Sequence, residues 1–456
     1  MPRLARGAAM NFEQELRLTA SLCNPPALDH FRQHVPLSWI EEALSVAGVA
    51  TVRRRRLPAE QVVWLVLGMA LFRNRPITEV VSKLDLALPS TSGQEVAPSA
   101  ISQARQRVGS DALSILFHRS GEEWAHASAG AHRWRGLAIY AVDGSSLRVP
   151  DTQENRDHFG GHPSSDGTVS SYPLMRVVGL MAVRSHLLAD VAFGPYDIPE
   201  QTYADTLWDS VPANSLVILD KGFFGAPTLL NIEHGESSRH WLTRARSNAR
   251  WEVVERRTDG DLLVEMTVSR EARNHDETLP RKWRARAIRY QRKGFQPSWL
   301  LTSLLDPKAY PASEIVALYH ERWELELGYD ELKTELLDRE ETLRSKSPDA
   351  VAQETWGILI AYNLLRLEME KIAEEAGVEP TRISFVAAMR LIADEWLWCA
   401  SGTPGTIPKK LAALRASVKR FVLPPRRSER SYPRAVKLRT SHYPKKKPIN
   451  RPPPLN

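Results

Sequence analysis

Two short apolar runs, each closed by an aspartate, constrain this chain more than any other feature: GLAIYAVD at 136–143 and SLVILD at 215–220. Apolar runs of that length without polar alternation suit strands buried on both faces, as in a parallel or mixed sheet covered by helices. MRVVGLMAVRSHLLADVAF, residues 175–193, reads as two further strands, a helix is predicted near Glu200 to Leu207, and RHWLTRA, 239–245, supplies another strand. The order is that of an α/β domain with a mixed sheet. A carboxylate at the end of such a strand faces the crevice where open α/β sheets bind ligands, so Asp143 and Asp220 are candidates for chemistry. Each also has a plainer reading, since Asp-Gly and Asp-x-Gly are ordinary turn sequences.

The flanking sequence differs in texture. Residues 1 to about 127 read as helical, with helical periodicity at Pro36 to Ala47, Pro58 to Phe72 and Ile77 to Leu84, and a further helix pair from Ala97 with Gly109 as a stop. RRRR at 53–56 lies between two of these helices, where it is either a solvated charge run or a phosphate clamp. Between about Ser247 and Leu305 the pattern alternates, and TDGD separates two alternating runs, which predicts an antiparallel β insert. Helices follow: one containing YHERWELELGYDELK, a long amphipathic one at Glu354 to Ala376, and more to about Trp398.

In that first C-terminal helix Tyr319, Arg322, Glu326 and Lys333 share a side. At about 100° per residue they fall within roughly a 60° stripe. Leu318, Leu325, Leu332 and Leu336 form an adjacent apolar band, and His320, Glu321, Glu324, Glu331 and Glu335 a polar band expected to face water. With buried and solvated faces both supplied, the four-residue stripe is left for another purpose, unless Glu326 merely pairs with Arg322 four residues earlier.

Composition narrows the class. The two cysteines, Cys23 and Cys399, make no disulfide framework and lack zinc-ligand spacing, the N-terminus shows no apolar signal region, and the longest apolar run, Val62 to Phe72, is too short to span a bilayer. The expectation is a cytoplasmic protein with no membrane partner. The net charge of +7 is concentrated: residues 426–451 hold ten Lys or Arg and one acid, and the rest of the chain has 51 basic and 53 acidic residues. Such a Pro-rich basic tail is either attracted to polyanions or a solubility tail without a partner. Walker, dinucleotide and serine-elbow motifs are absent, which argues against ATP, NAD and acyl-enzyme chemistry. A carboxylate-pair glycosidase would leave Arg322, Lys333 and the basic tail without a role.

If Glu326 joins Asp143 and Asp220, three hard anionic oxygen donors suit Mg²⁺ or Mn²⁺, two ions of which drive in-line displacement at phosphorus. Arg322 and Lys333 would then meet phosphate oxygens and Tyr319 would donate its hydroxyl. The spacing Tyr-x2-Arg-x3-Glu-x6-Lys, with AVDGSSLRVPDTQENRDHFG and LDKGFFG upstream, resembles the DDE transposases of the insertion sequence 4 family, and VPLSWIEEALSVAGVATVRRRRLPAEQVVWLVLGMALFRNRPITEVV is similar to that family's N-terminal region.

The resemblance implies an RNase-H-like mixed-sheet catalytic core interrupted by an antiparallel β insertion, with Asp143, Asp220 and Glu326 as the metal-binding triad. The segments would be a helical DNA-binding domain at 1–127, the core at 128–246 and 306–376, the insertion at 247–305, a helical region at 377–425 and a disordered basic tail at 426–456. It implies cut-and-paste transposition on double-stranded DNA (terminal inverted repeats and target) by a homodimer assembled on DNA, nucleoid-associated in a prokaryote. Nicking, hairpin formation and opening, and strand transfer would follow in turn. In some relatives an aromatic of the insertion stacks on a flipped base; by position Trp299 is the candidate, with Trp283 and Trp251 as competitors and a packed strand Trp as the plain alternative. A catalytically silent DNA-binding regulator derived from such an enzyme is the other functional reading.

Overall fold

The structure is a computed structural model that describes residues 34–50, 57–84, 86, 96–162, 170–234, 238–291, 296–337, 342–399 and 407–424; Arg53 to Arg56 and the basic tail lie outside them. The described residues fall into two compact units. One is drawn from Met1–Arg119, Ala352–Leu365 and Ser384–Phe421, the other from Ser120–Val351, Arg366–Ile383 and Val422–Asn456.

The first unit is helical. Helices at Leu37–Val46, Ala59–Leu71 and Ile77–Lys83 each start directly after a proline, whose fixed φ and missing N–H suit a helix entry. A fourth, Pro98–Val108, stops at Gly109, whose φ of 65° a side chain would resist. Ala59–Leu71 is buried nearly all round, as its apolar run from Val62 onward requires. Among the described residues no helix is long and apolar enough to cross a membrane.

The second unit is built on one nine-stranded sheet ordered β3-β2-β1-β4-β5-β9-β8-β7-β6. The strands are β1 Ala138–Arg148, β2 Leu174–Ala182, β3 Leu188–Pro195, β4 Ser215–Leu219, β5 Arg239–Arg244, β6 Glu252–Thr258, β7 Asp261–Thr267, β8 Lys282–Tyr290 and β9 Ser298–Thr302. β1, β4 and β5 are parallel, and β2 and β3 run antiparallel on one side. β4 is buried at every position, in keeping with its continuous apolar run. The alternating segments between 252 and 302 continue the same sheet, β9 pairing antiparallel with β5 and carrying β8, β7 and β6 beyond it. A short helix at Arg270–His275, capped by Ser269, joins β7 to β8.

Two local expectations need correction. β1 does not end at Asp143: it runs on to Arg148 against β2, and only its pairing with β4 stops at Val142. The backbone hydrogen bonds of β2 hold the polar DGSSLR stretch extended where the Asp-Gly sequence alone suggests a turn. Nor is Tyr319 to Lys333 one regular helix. It comprises Ala312–His320, then Trp323–Asp330, then a π-helix at Glu331–Leu336. Around the join the amides of Glu321, Arg322, Glu324 and Leu325 bond to carbonyls three residues back, and the amide of Leu337 reaches five back to Leu332. The winding tightens and then loosens, so the even 100° step behind the predicted stripe is only a local approximation.

Candidate active site

The register of β1 and β4 places the two aspartates. Val142 and Leu219 are the last paired residues on these neighbouring parallel strands, and Asp143 and Asp220 follow them immediately. Parallel neighbours lie about 4.8 Å apart with matched side-chain alternation, so both carboxylates leave the sheet on the same face at the same edge. Asp220 also performs the turn role its sequence suggests: its side chain accepts from the Gly222 amide at 3.3 Å and caps the single turn Lys221–Phe223.

Asp143 is held from several directions. One oxygen accepts from the Gly144 amide at 2.9 Å, and the Tyr329 hydroxyl donates to its carbonyl at 2.8 Å. Burial pushes the Asp143 carboxyl up to about 6; the Gly144 amide and Arg322 pull it down, and Asp220 and Glu200 push it up again. Glu200, at the start of the Glu200–Asp205 helix, is steered by Arg176 at 2.6 Å. A Cβ at residue 144 would stand 2.4 Å from the Glu200 carboxyl carbon, so a larger residue there would make the Glu200 side chain swing away.

Glu326 comes to the same edge through Arg322. The guanidinium donates to Glu326 at 2.7 Å and lies 3.5 Å from Asp143 through its other terminal nitrogen. The plain pairing of Glu326 with Arg322 is therefore present, and it extends to the sheet. Asp143 and Glu326 keep 23% and 32% of their side-chain surface exposed, so small ligands reach both. Among the described residues no group of three or more His, Cys, Asp or Glu is arranged to hold a metal ion. Arg322 supplies the positive charge between Asp143 and Glu326. The donor set, carboxylate oxygens only, suits a hard divalent cation, and a carboxyl raised by burial marks negative charge left short of compensation.

The other candidates distribute unevenly. Tyr319 is buried, stacks edge-on against Tyr290 at 6.3 Å, and has its hydroxyl pushed up to about 12 by burial, with Arg322, Tyr290, Asp220 and Arg244 all felt nearby. Lys333 lies on the π-helix, half-buried, and makes no ion pair or hydrogen bond among the described residues. Trp299 is on β9 beside the C-terminal end of β5, its carbonyl accepting from Ala245 at 2.9 Å, and it meets Trp251 edge-to-face at 5.9 Å. Trp283 is a core residue packed on Trp241 at 5.5 Å. Because Leu219 pairs with Thr243 and Arg244 with Leu300, Asp143, Asp220, Arg244 and Trp299 line one edge of the sheet.

The expected solvated glutamate band is a correction. Glu321 receives two hydrogen bonds from Arg184, both 2.9 Å, while Glu324 and Glu331 flank the buried His186 at 3.0 and 3.2 Å. Arg184 and His186 belong to the tight β2–β3 turn, which folds back against this helix. Helical periodicity gives the angle of each glutamate but carries no information about a turn more than 130 residues away in the chain. The same blindness hid Glu200 and Tyr329; the one available hint was that a wholly solvated face has no use for acids at such regular intervals.

Comparison of the sequence with family models and curated relatives gives the same direction. A family model described as the insertion element 4 transposase N-terminal region matches residues 25–118, and one described as the transposase DDE domain matches residues 134–364. The transposase InsG for insertion sequence element IS4 of Escherichia coli (strain K12) is 37% identical over 95% of this chain and 98% of its own. Among solved structures, a piggyBac transposase synaptic complex with hairpin DNA aligns over 86% of this chain and 83% of its own, at 13% identity and a TM-score of 0.40.

Proposed function

Because this chain belongs to the insertion sequence 4 family of DDE transposases, with the mixed sheet and helices of an α/β RNase-H-like fold, we propose that it catalyses cut-and-paste DNA transposition with Asp143, Asp220 and Glu326 as the triad. The observation that supports this reading most is the single guanidinium of Arg322 touching both Asp143 and Glu326, at an edge where the register also sets Asp220.

Divalent cations, Mg²⁺ or Mn²⁺ and two per site, when bound by Asp143, Asp220 and Glu326 would supply activation of the attacking oxygen and charge stabilisation at phosphorus. The chain's own residues do the rest. Arg322 exchanges its carboxylate partners for phosphate oxygens, which its planar fork fits equally well. Tyr319, kept neutral by burial, donates a hydrogen bond rather than repelling a phosphate. The Tyr329 hydroxyl holds the Asp143 backbone carbonyl, and the Glu200 carboxylate adds negative charge beside the Asp143 carboxyl. Lys333 contributes a point charge, and Trp299 offers a ring face to an unstacked base at the same edge.

On this reading the helices before residue 127 and the basic tail grip double-stranded DNA, two copies assemble on paired element ends, and nicking, hairpin formation, hairpin opening and strand transfer follow in turn. The test is purified protein with Mg²⁺ and a duplex carrying the element's own inverted repeats. Nicked and hairpin products are expected with wild type, and Asp143→Ala, Asp220→Ala and Glu326→Ala should bind that duplex without cutting it. Cutting at wild-type rate by the triple variant would falsify the assignment.

A further inference from the structure

We propose that His186 is a positioning residue that fixes the orientation of the Glu326 helix by gripping it on both sides of the catalytic glutamate, an inference that rests on the role assigned above to Glu326. His186 is 1% exposed, and its ring reaches Glu324 through Nε2 at 3.0 Å and Glu331 through Nδ1 at 3.2 Å. These glutamates are seven residues apart, two residues before and five after Glu326. One rigid imidazole therefore spans the stretch that carries the third acid.

The chemistry makes the grip specific. Each ring nitrogen faces a glutamate carboxyl oxygen, so one imidazole meets two acids at once, and each contact is a hydrogen bond where that nitrogen carries its proton. Neighbouring charges complete the set: Arg366, also 1% exposed, lies 3.4 Å from Glu331 and donates to the Ser185 carbonyl at 2.8 Å, while Arg184 holds Glu321. Three carboxylates of the helix face two guanidiniums and one imidazole. His186 itself sits at φ 63°, in the left-handed region that a residue with a Cβ enters at a cost, and the β2–β3 turn holds it there. Glu331 is also the first residue of the π-helix, so the grip ends where the winding changes.

Removing the grip should let the helix drift without undoing the sheet. His186→Ala is expected to speed amide hydrogen exchange in residues 323–336 and leave β1 and β4 as protected as in wild type. Single-turnover cleavage should fall about 10- to 100-fold with DNA affinity unchanged, and half-maximal cleavage should require more Mg²⁺. Glu324→Gln keeps an oxygen acceptor and should retain more of the rate than Glu324→Ala. If His186→Ala does not fold, Glu324→Ala and Glu331→Ala, at partly exposed positions, carry the same exchange expectation. Exchange in 323–336 that stays at wild-type level in folded variants, or a cleavage loss matched by an equal loss of DNA affinity, overturns the proposal. The exchange readout needs no cutting, so it stands or falls separately from the triad.

Discussion

The two sides of the helical stretch from Tyr319 to Leu336 carry charge networks of opposite character. On the sheet-edge side Arg322 bridges Asp143 and Glu326 with side chains 16 to 32% exposed and an acid held up near 6. On the far side His186 and Arg366 are 1% exposed and clasp glutamates against the β2–β3 turn. Solvent access sets the difference: charges at an open edge exchange partners at low cost, while buried ones are committed to the partner they folded with. On the proposed reading, the exposed network trades an arginine for a metal ion and a phosphate. On the same reading, the buried network holds the glutamate while that trade occurs.

The sharpest way to separate the two is to neutralise one glutamate on each side. Glu326→Gln should reduce single-turnover strand cleavage by about a thousandfold or more, some 4 kcal/mol of transition-state stabilisation, whereas Glu331→Gln should reduce it roughly tenfold. Equal losses would mean that the two networks share one function. Stability should rank in the reverse order. Arg366→Met removes a buried guanidinium from the partly exposed Glu331 and from the Ser185 carbonyl, and about 3 kcal/mol of folding stability should disappear in a denaturant melt. Arg322→Met, at the open edge, should cost about 1 kcal/mol or less.

These contrasts show which parts of the molecule the sequence discloses. β4 and the first half of β1 are legible because an unbroken apolar run has few alternatives to a buried strand, and the acids after Val142 and Leu219 follow from that. The second half of β1 is not: Asp143 to Ser146 look like a turn, and only the partner strand β2 keeps them extended. The Tyr, Arg, Glu and Lys spacing was readable, but the tight join at Glu321 and Arg322 and the π-helix around Lys333 were not, because every residue there tolerates an ordinary helix. Tertiary partners decide the winding. Likewise the alternation from 252 to 302 announces strands, while their continuation of the core sheet through β9 and β5 depends on non-local pairing.

The raised carboxyl of Asp143 gives a smaller effect with a defined sign. Burial favours its protonated form, so the group penalises the fold only when ionised. Below about pH 4 it is protonated folded or unfolded, and Asp143→Asn should leave the melting temperature unchanged there. As pH rises from 4 through 6 the wild type loses stability that the asparagine variant keeps. The full shift corresponds to about 3 kcal/mol, and a side chain with part of its surface in water should show roughly 1–2 kcal/mol at pH 7.5 in chelator. A difference that stays flat with pH would mean that Arg322 already compensates the charge. No such gain is expected from Glu331→Gln, whose carboxylate is fully engaged by His186 and Arg366.

Lys333 supplies the smallest effect and the finest test of the exposed side. In a regular helix it would stand about 20° from Glu326, seven residues earlier, but the π-helix turns each residue by less than the α-helical angle and moves Lys333 off that line. Lys333 is half-buried and without an ion-pair partner among the described residues, and on the proposed reading its ammonium meets a phosphate flanking the reacting one. Taking away one cation that neutralises a phosphate lowers the slope of log affinity against log salt by about 1, uniformly across DNA sequences. Lys282 on β8 is the matched control, since Glu252 at 3.1 Å and Glu265 at 2.8 Å already neutralise it. Lys333→Ala should flatten the salt dependence and Lys282→Ala should leave it alone. If both slopes match wild type, Lys333 faces solvent and the nucleic-acid side of the helix ends before the π-helix begins.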